Sequence, residues 1–178
     1  LLIIIYSIKN LNKDIKKIRK VFLNPNHYMR CTLFLKLQWQ IQIIRMTKKI
    51  INQSDLSVIK KKLKGKKIGL AHGVFDIFHF GHLLHLKKAK SNCDILFVSI
   101  TSDKFINKGP GRPIYNTKQR LNIIASIELV DFVIISNEKT SQKIIKELKP
   151  DIYFKGNDYK GHNKDYTGGI KLEKSEVE

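Results

Sequence analysis

The sequence has few cysteines, few acidic residues and no long apolar run. Its two cysteines, Cys31 and Cys93, show no local pairing pattern, which argues against a disulfide-rich secreted scaffold and a cysteine-based zinc site. The apolar opening LLIIIYSI stops at Lys9, far short of the roughly 20 residues of a membrane span, and no charged segment precedes it as in a signal peptide. We therefore expect a cytoplasmic protein that does not associate with a membrane.

The scarcity of acidic residues leaves the charge strongly positive. Lysine and arginine together number 34 against 15 aspartate and glutamate residues, a formal net charge of +19. This excess indicates an anionic partner, but by itself it does not distinguish among nucleic acid, a membrane surface and nucleotide phosphates. Because no DNA- or RNA-binding motif and no aromatic stacking platform is recognisable, we expect no specific nucleic-acid partner.

The composition changes near Met46. The segment before it lacks glycine and ends in LFLKLQWQIQII, where alternating apolar residues predict a strand over residues 33–43. We expect Met46 to be the natural start of the protein. Residues 1–45 are then an N-terminal extension of doubtful native origin, and residues 46–178 form one domain. The alternative is that residues 1–45 are a targeting or interaction arm, since basic residues outnumber acidic ones there.

Strand and helix patterns alternate from Ser54 onward. The strand patterns are KIGLAH (67–72), DILFVSIT (94–101), VDFVIIS (130–136) and DIYFKG (151–156). Helical patterns cover residues 54–63, 81–90, 117–127 and 140–148. This alternation predicts an α/β fold, a Rossmann-like parallel sheet with helices on both faces and ligands bound at the carboxyl ends of the strands.

The stretch GVFDIFHFGH follows the first of these strand patterns. Backbone N–H groups at the start of a helix lack partners and attract phosphate. His79 and His82 are three residues apart, so they project from one face of the coming helix, and Gly81 leaves room for a ligand. We interpret this as a phosphate-binding junction. The alternative is that one histidine packs in the core and the other caps the helix.

These residues resemble the nucleotidyltransferase superfamily that carries the His-x-Gly-His signature. Longer stretches are similar to the cytidylyltransferase-like adenylyltransferases of the ADP-heptose synthase type: HGVFDIFHFGHLLHLKKAK, DILFVSITSDKFINKGPGRPIYN, QRLNIIASIELVDFVI and LKPDIYFKGNDY. The similarity covers residues 46–178, which it identifies as a nucleotidyltransferase domain. It implies transfer of a nucleotidyl group, AMP favoured, from a nucleoside triphosphate to a sugar phosphate with release of pyrophosphate and no covalent enzyme intermediate.

The resemblance also implies roles for individual residues. His79 and His82 match the signature histidines, which contact the nucleotide phosphates and stabilise the pentavalent phosphorus. The nucleotide-binding residues that it implies are Gly73, Phe75, Asp76, Gly81, Lys155, Gly156 and Asp158.

The loop after the second strand pattern supplies cations. Lys108 and Arg112 lie on a stretch stiffened by Pro110 and Pro113, which lowers the entropy cost of holding two charges at a phosphate. We assign Lys108 a catalytic role and expect Lys108, Arg112 and Arg120 to contact substrate phosphate. In so basic a chain, the alternative for any one of them is a solvated surface charge.

No cysteine or carboxylate stands at metal-ligand spacing from the histidines. The expected cofactor is Mg²⁺, which bridges the oxygens of ATP or CTP and is held more by that substrate than by the protein. A sugar kinase that makes the phosphorylated substrate and a second copy of the chain are the candidate protein partners.

Relatives of this type continue beyond the Asp-Tyr segment to a further strand and a serine-rich motif that contacts the triphosphate. This chain ends at Glu178, so we expect a domain that is incomplete at the C-terminus and has low or no turnover. The alternatives are a glycerol-3-phosphate cytidylyltransferase-like enzyme and an inactive, truncated protein that binds nucleotide or nucleic acid.

Overall fold

The computed structural model describes residues 27–155. Its elements are, in chain order, α1 (His27–Lys49), β1 (Ile50–Ile51), a 3₁₀ helix (Gln53–Asp55), α2 (Leu56–Lys62), β2 (Ile68–Gly73), α3 (Phe80–Lys90), β3 (Ile95–Thr101), a second 3₁₀ helix (Asp103–Phe105), α4 (Thr117–Ser126), β4 (Phe132–Ser136), α5 (Gln142–Leu148) and β5 (Ile152–Phe154). The chain divides into two compact units between Ile44 and Arg45, and the second unit contains the sheet. That Met46 starts the native protein stays a prediction.

The five strands form one parallel sheet in the order β1-β4-β3-β2-β5. Strand β2 therefore lies between β3, which follows it in the chain, and β5 from much later. Leu70 of β2 pairs with Phe97 on one side and with Tyr153 on the other. The strand order changes direction at β2, and such a change opens a crevice at the carboxyl ends of the strands, where ligands bind in this architecture.

Apolar residues cover both faces of the sheet. On one face, α3 and α4 pack against strand side chains that include Leu96, Val98 and Val133. On the other face, α2 and α5 pack against a second set that includes Leu70 and Phe97. The apolar residues on both faces of a parallel sheet must be removed from water, so helices pack against each face. The predicted α/β fold, a Rossmann-like parallel sheet with helices on both faces, is confirmed.

The strand predicted over residues 33–43 is wrong, because these residues lie within helix α1. A helix satisfies its backbone hydrogen bonds inside the segment, whereas a strand there would need a neighbouring strand to pair with. The short strand β1 was not predicted. Its two residues pair with Val133 and Ile134, and a run of two residues is too short to show a period of two.

The other predicted helices and strands are found within two residues of their expected ends. None of the helices between residues 27 and 155 is long and apolar enough to cross a membrane.

Candidate active site

The turn that leaves β2 is shaped by an aromatic ring folded back onto it. Phe75 has a φ of 50°, a left-handed conformation that is uncommon for a residue with a side chain. Its ring is buried in the core and lies so close to Gly73 that a Cβ there would approach it to 3.1 Å. A side chain at position 73 would therefore press against this buried ring, which is a packing reason for the glycine.

The two signature histidines meet at the amino end of α3. His79 is the N-cap residue, and its Nδ1 accepts a hydrogen bond of 3.1 Å from the backbone N–H of Gly81. In return, Nδ1 of His82 accepts a hydrogen bond of 3.4 Å from the backbone N–H of His79. The centroids of the two imidazole rings are 4.0 Å apart. The structure thus brings the pair together and also gives His79 the capping role of the alternative interpretation.

The cap determines which nitrogen of His79 faces outward. A ring nitrogen that accepts a hydrogen bond carries no proton, so the N–H of this exposed imidazole is at Nε2. That N–H can donate to a phosphate oxygen while the cap stays intact. Gly81 makes this geometry possible, because a Cβ at position 81 would lie 2.9 Å from Cε1 of His79.

The ring of His82 is held by aromatic neighbours. Phe75 meets it edge to face with 5.2 Å between centroids, and Phe78 stacks on it at 5.6 Å. Such contacts fix the orientation of an imidazole before a ligand arrives. His82 is half-buried and is oriented by these rings as well as by its hydrogen bond, whereas His79 is exposed and caps the helix.

Asp76 connects this turn to the loop that follows β3. Its Oδ2 accepts a hydrogen bond of 2.8 Å from Nη1 of Arg112, and its Oδ1 accepts one of 3.0 Å from the backbone N–H of Tyr115. Asp76 is 4% exposed, whereas the side chain of Arg112 is 40% exposed. The carboxylate therefore holds the loop in place, and the exposed part of the guanidinium remains open to a phosphate.

The surroundings of Asp76 keep its side chain ionised. Burial by itself raises the pKa of this carboxyl, but the hydrogen bond from Arg112, the backbone hydrogen bonds from Tyr115 and Ile114 and the charge of Arg112 outweigh it. The net effect is a pKa below its usual value of 3.8. Asp76 is thus a stable anion that orients Arg112.

Arg120 does not have the predicted role. Its side chain is fully buried, and each of its five N–H groups already donates to the protein. Nε donates to the carbonyl of Tyr115, Nη1 to the carbonyls of Val74 and Thr101, and Nη2 to Asp103 and to the hydroxyl of Thr117. With no donor left for a ligand, Arg120 cannot contact a substrate phosphate in this arrangement, and that prediction is corrected.

Lys108 lies at the exposed tip of the same loop. The adjacent Gly109 and Gly111 have positive φ angles of 92° and 73°, which glycine adopts without strain. The tip therefore turns sharply and carries Lys108 into solvent on the loop that Asp76 anchors. The phosphate contact expected of Lys108 stays a prediction.

Of the nucleotide-binding residues expected after the last strand, only Lys155 lies within the described residues. Lys155 follows β5, and its Nζ lies 3.5 Å from the hydroxyl of Tyr153. Because β5 pairs with β2, Lys155 emerges beside the strand that leads into the histidine turn. Gly156 and Asp158 lie outside the described residues.

The carboxylates near the turn do not fit a protein-held metal ion. Asp76 and Asp103 each face an arginine. Among residues 27–155, no group of three or more histidine, cysteine, aspartate or glutamate side chains could hold a metal. The protein groups described here therefore provide no magnesium cage.

Sequence reasoning missed two residues of this site. Asp103 accepts from Arg120 at 2.6 Å, and Thr117 exchanges two hydrogen bonds with Asp103, from backbone N–H to side-chain oxygen in each direction. Burial by itself raises the pKa of Asp103, but its hydrogen bonds with Thr117 and Arg120 and the charge of Arg120 outweigh that rise, so the net pKa is below 3.8. The signal that could have found this pair is an acidic residue just after one strand and a helix start 14 residues later.

Comparison with known proteins places these features in a family. The family model described as "Cytidylyltransferase-like" matches residues 70–174, which is more than half of the chain and includes each site residue named above. The chain belongs to the cytidylyltransferase-like family. The matched range begins inside β2.

Curated relatives support the cytidylyltransferase-like assignment over part of their length. "Bifunctional protein HldE" of Helicobacter hepaticus is 43% identical over 122 residues, which are 67% of this chain and 25% of that protein. The protein of the same name from Campylobacter jejuni subsp. doylei is 44% identical over 115 residues, 64% of this chain and 25% of its own length. The chain thus spans about a quarter of the length of the curated relatives that it matches.

A solved structure shares this cytidylyltransferase-like fold. It is the lipopolysaccharide core biosynthesis protein from Thermoplasma volcanium, with a TM-score of 0.53 and 33% identity. The match covers 64% of this chain and 91% of that one. The fold of this chain is therefore shared with a solved protein over most of that protein's length.

Proposed function

We propose that the chain is a nucleotidyltransferase that transfers a nucleotidyl group, AMP favoured, from a nucleoside triphosphate to a sugar phosphate. An oxygen of the sugar phosphate attacks the α-phosphorus and forms a new P–O bond. The bond from that phosphorus to the oxygen that bridges it to the β-phosphorus breaks, and pyrophosphate leaves. The observation that carries the proposal is the pair of histidine rings, 4.0 Å apart, at the amino end of α3.

The charges around this pair suit a triphosphate. The helix amino end offers partial positive charge, and Nε2–H of His79 offers a donor next to it. The loop tip adds Lys108, and Arg112 adds the exposed part of its guanidinium. Transfer at phosphorus depends chiefly on positioning and on neutralising charge in the transition state, and fixed donors of this kind supply both.

The similarity to the ADP-heptose synthase type supports heptose 1-phosphate as the acceptor and ATP as the donor. We further propose that Mg²⁺ arrives with the triphosphate, since the carboxylates beside the turn are engaged by Arg112 and Arg120. We also propose a cytoplasmic location and, as a partner, a sugar kinase that makes the acceptor.

The test pairs each donor with each acceptor. ATP and CTP are combined with heptose 1-phosphate and with glycerol 3-phosphate, and pyrophosphate release is measured for all four mixtures. Binding of each nucleotide is titrated in parallel, which separates slow transfer from lack of affinity. We expect ATP to bind and ATP with heptose 1-phosphate to release pyrophosphate fastest.

Two other outcomes would replace the proposal. Release that requires CTP and glycerol 3-phosphate would indicate a glycerol-3-phosphate cytidylyltransferase. RNA binding that survives raised salt, together with no binding of either nucleotide, would indicate a nucleic-acid-binding protein.

A further inference from the structure

The loop between β3 and α4 has both of its ends attached to one side chain. Arg120 donates to Asp103, where the loop begins, at 2.6 Å and to the carbonyl of Tyr115, where it ends, at 2.9 Å. The same guanidinium donates at 2.6 Å to the carbonyl of Val74, in the turn that leads to the histidines. One buried cation thus connects the base of the loop to the start of the histidine turn.

We propose that Arg120 is a positioning residue, which fixes the base of the loop carrying Lys108 and Arg112 and so presents these two cations to the substrate phosphates. This inference rests on the proposed function for the identity of the ligand, a nucleoside triphosphate. The restraint on the loop follows from the hydrogen bonds alone.

The physical reason lies in the entropy of the loop. With its ends fixed, the segment 104–114 loses less conformational freedom when it binds a phosphate than a segment with free ends. Misplacing a catalytic group by about 1 Å can cost roughly 100-fold in rate, so this restraint is large enough to matter. Gly109 and Gly111 leave the tip adaptable, which makes a fixed base more important.

Lysine cannot replace arginine in this role. The guanidinium is a planar fork whose five N–H groups point in fixed directions, whereas an ammonium offers three donors at one atom. Arg120→Lys therefore keeps the charge and loses the simultaneous contacts with Asp103, Tyr115 and Val74. It is the variant that separates charge from positioning.

Limited digestion with trypsin tests the restraint without any ligand. Trypsin cleaves after Lys108 in the loop, and cleavage after Lys64, in the turn after α2, serves as an internal reference because Arg120 does not contact that turn. In Arg120→Lys we expect cleavage after Lys108, relative to Lys64, to rise about ten-fold. Lys118→Ala, on the exposed side of the same helix, should leave the ratio at its native value.

An unchanged ratio in Arg120→Lys would overturn the proposal. If circular dichroism shows that this variant does not fold, Asp103→Asn replaces it, because the side chain of Asp103 is 41% exposed and asparagine has the same shape. We expect a smaller rise of the same ratio in Asp103→Asn, and no rise would contradict the proposal equally.

A double-mutant cycle then tests the link to the ligand. In the native background, Lys108→Ala should weaken ATP binding about ten-fold, whereas in the Arg120→Lys background it should weaken binding less than about two-fold. A merely structural Arg120 would leave the effect of Lys108→Ala equal in both backgrounds, and that result would overturn the inference. If the native chain does not bind ATP, the proposed function fails, and the digestion ratio still decides whether Arg120 restrains the loop.

Discussion

The histidine turn and the loop after β3 face the same site but are built differently. In the turn, the hydrogen bonds of His79 join residues two and three positions apart. In the loop, Arg112 reaches Asp76 across 36 positions, and Arg120 reaches Val74 across 46. The turn is therefore organised by its own sequence, whereas the loop is organised by the folded domain.

Because of this difference, substitutions in the turn and at the base of the loop should affect different measured properties. The exposed imidazole of His79 can be altered with little effect on the core, because it lies at the surface. Arg120 is fully buried, and its guanidinium donates to the carbonyls of Val74 and Thr101. Changes in the turn should therefore appear in transfer rates, and changes in the base of the loop should appear in the free energy of unfolding.

His79→Asn should produce the largest effect on function. Asparagine is a favourable N-cap residue, so the substitution keeps the cap of α3 and removes only the imidazole. We expect the rate of pyrophosphate release to fall by about 10² to 10³ and the free energy of unfolding to change by less than about 0.5 kcal/mol. Steady-state kinetics and urea unfolding measure the two quantities.

The matched control is His85→Gln, which lies one turn beyond His82 in α3. Burial lowers the pKa of His85, which agrees with a packing role. An equal loss of rate in His85→Gln would contradict the distinction between the two histidines.

Arg120→Met should produce the largest loss of stability. It removes a buried cation and leaves the carbonyls of Val74 and Thr101 without the donors that they have now. The cost is roughly 3 kcal/mol, at the lower end for a broken buried pair because Asp103 is partly exposed and water can solvate it. Urea unfolding followed by circular dichroism measures the loss, and Lys118→Met should stay within about 0.5 kcal/mol of the native chain.

Asp76→Asn should have an intermediate effect that depends on pH. Because the native pKa of Asp76 lies below 3.8, its ionised form stabilises the fold above that value, and this contribution disappears as the pH falls through the native pKa. Near neutral pH we expect a loss of about 1 to 2 kcal/mol, since a charged hydrogen bond to Arg112 is removed.

The pH dependence of the stability lost in Asp76→Asn identifies the cause of that loss. The difference in unfolding free energy between the native chain and Asp76→Asn should shrink as the pH is lowered past 3.8. A difference that stays constant from neutral pH to pH 3 would show that the ion pair with Arg112 is not its source.

Gly81→Ala should have the smallest effect on stability. The new Cβ would lie 2.9 Å from the ring of His79, so the ring must move and the cap is lost. Alanine favours the helix by about 0.5 to 1 kcal/mol over glycine, which offsets most of the cost of about 1 kcal/mol for losing the cap. We expect an almost unchanged melting temperature together with an approximately ten-fold slower transfer, and equal rates would show that the cap does not orient His79.

The sequence predicted the elements whose signals are local. Periodic apolar residues marked the strands β2 to β4, and the spacing of His79, Gly81 and His82 marked the junction that the structure shows. The helix over residues 33–43 was missed because its apolar residues alternate as in a strand, and α1 forms regardless of that alternation.

The roles of the charged residues could not be read in the same way. Arg120 and Arg112 stand eight positions apart in a basic chain, and the sequence predicts the same role for both, contact with a substrate phosphate. Only the folded domain shows that one is enclosed by five acceptors and the other is partly exposed. The partner of Arg112 is a carboxylate from another loop, and no pattern in the sequence connects the two.

Tyr115 is held by hydrogen bonds at both its backbone N–H and its carbonyl. Its N–H is bound by Asp76 and its carbonyl by Arg120, so one residue clamps the returning end of the loop from both sides. Insertions or deletions between Ile106 and Gly111 would leave that clamp untouched. The tip is thus a position where the reach of Lys108 can change while the hydrogen bonds that hold Tyr115 stay in place.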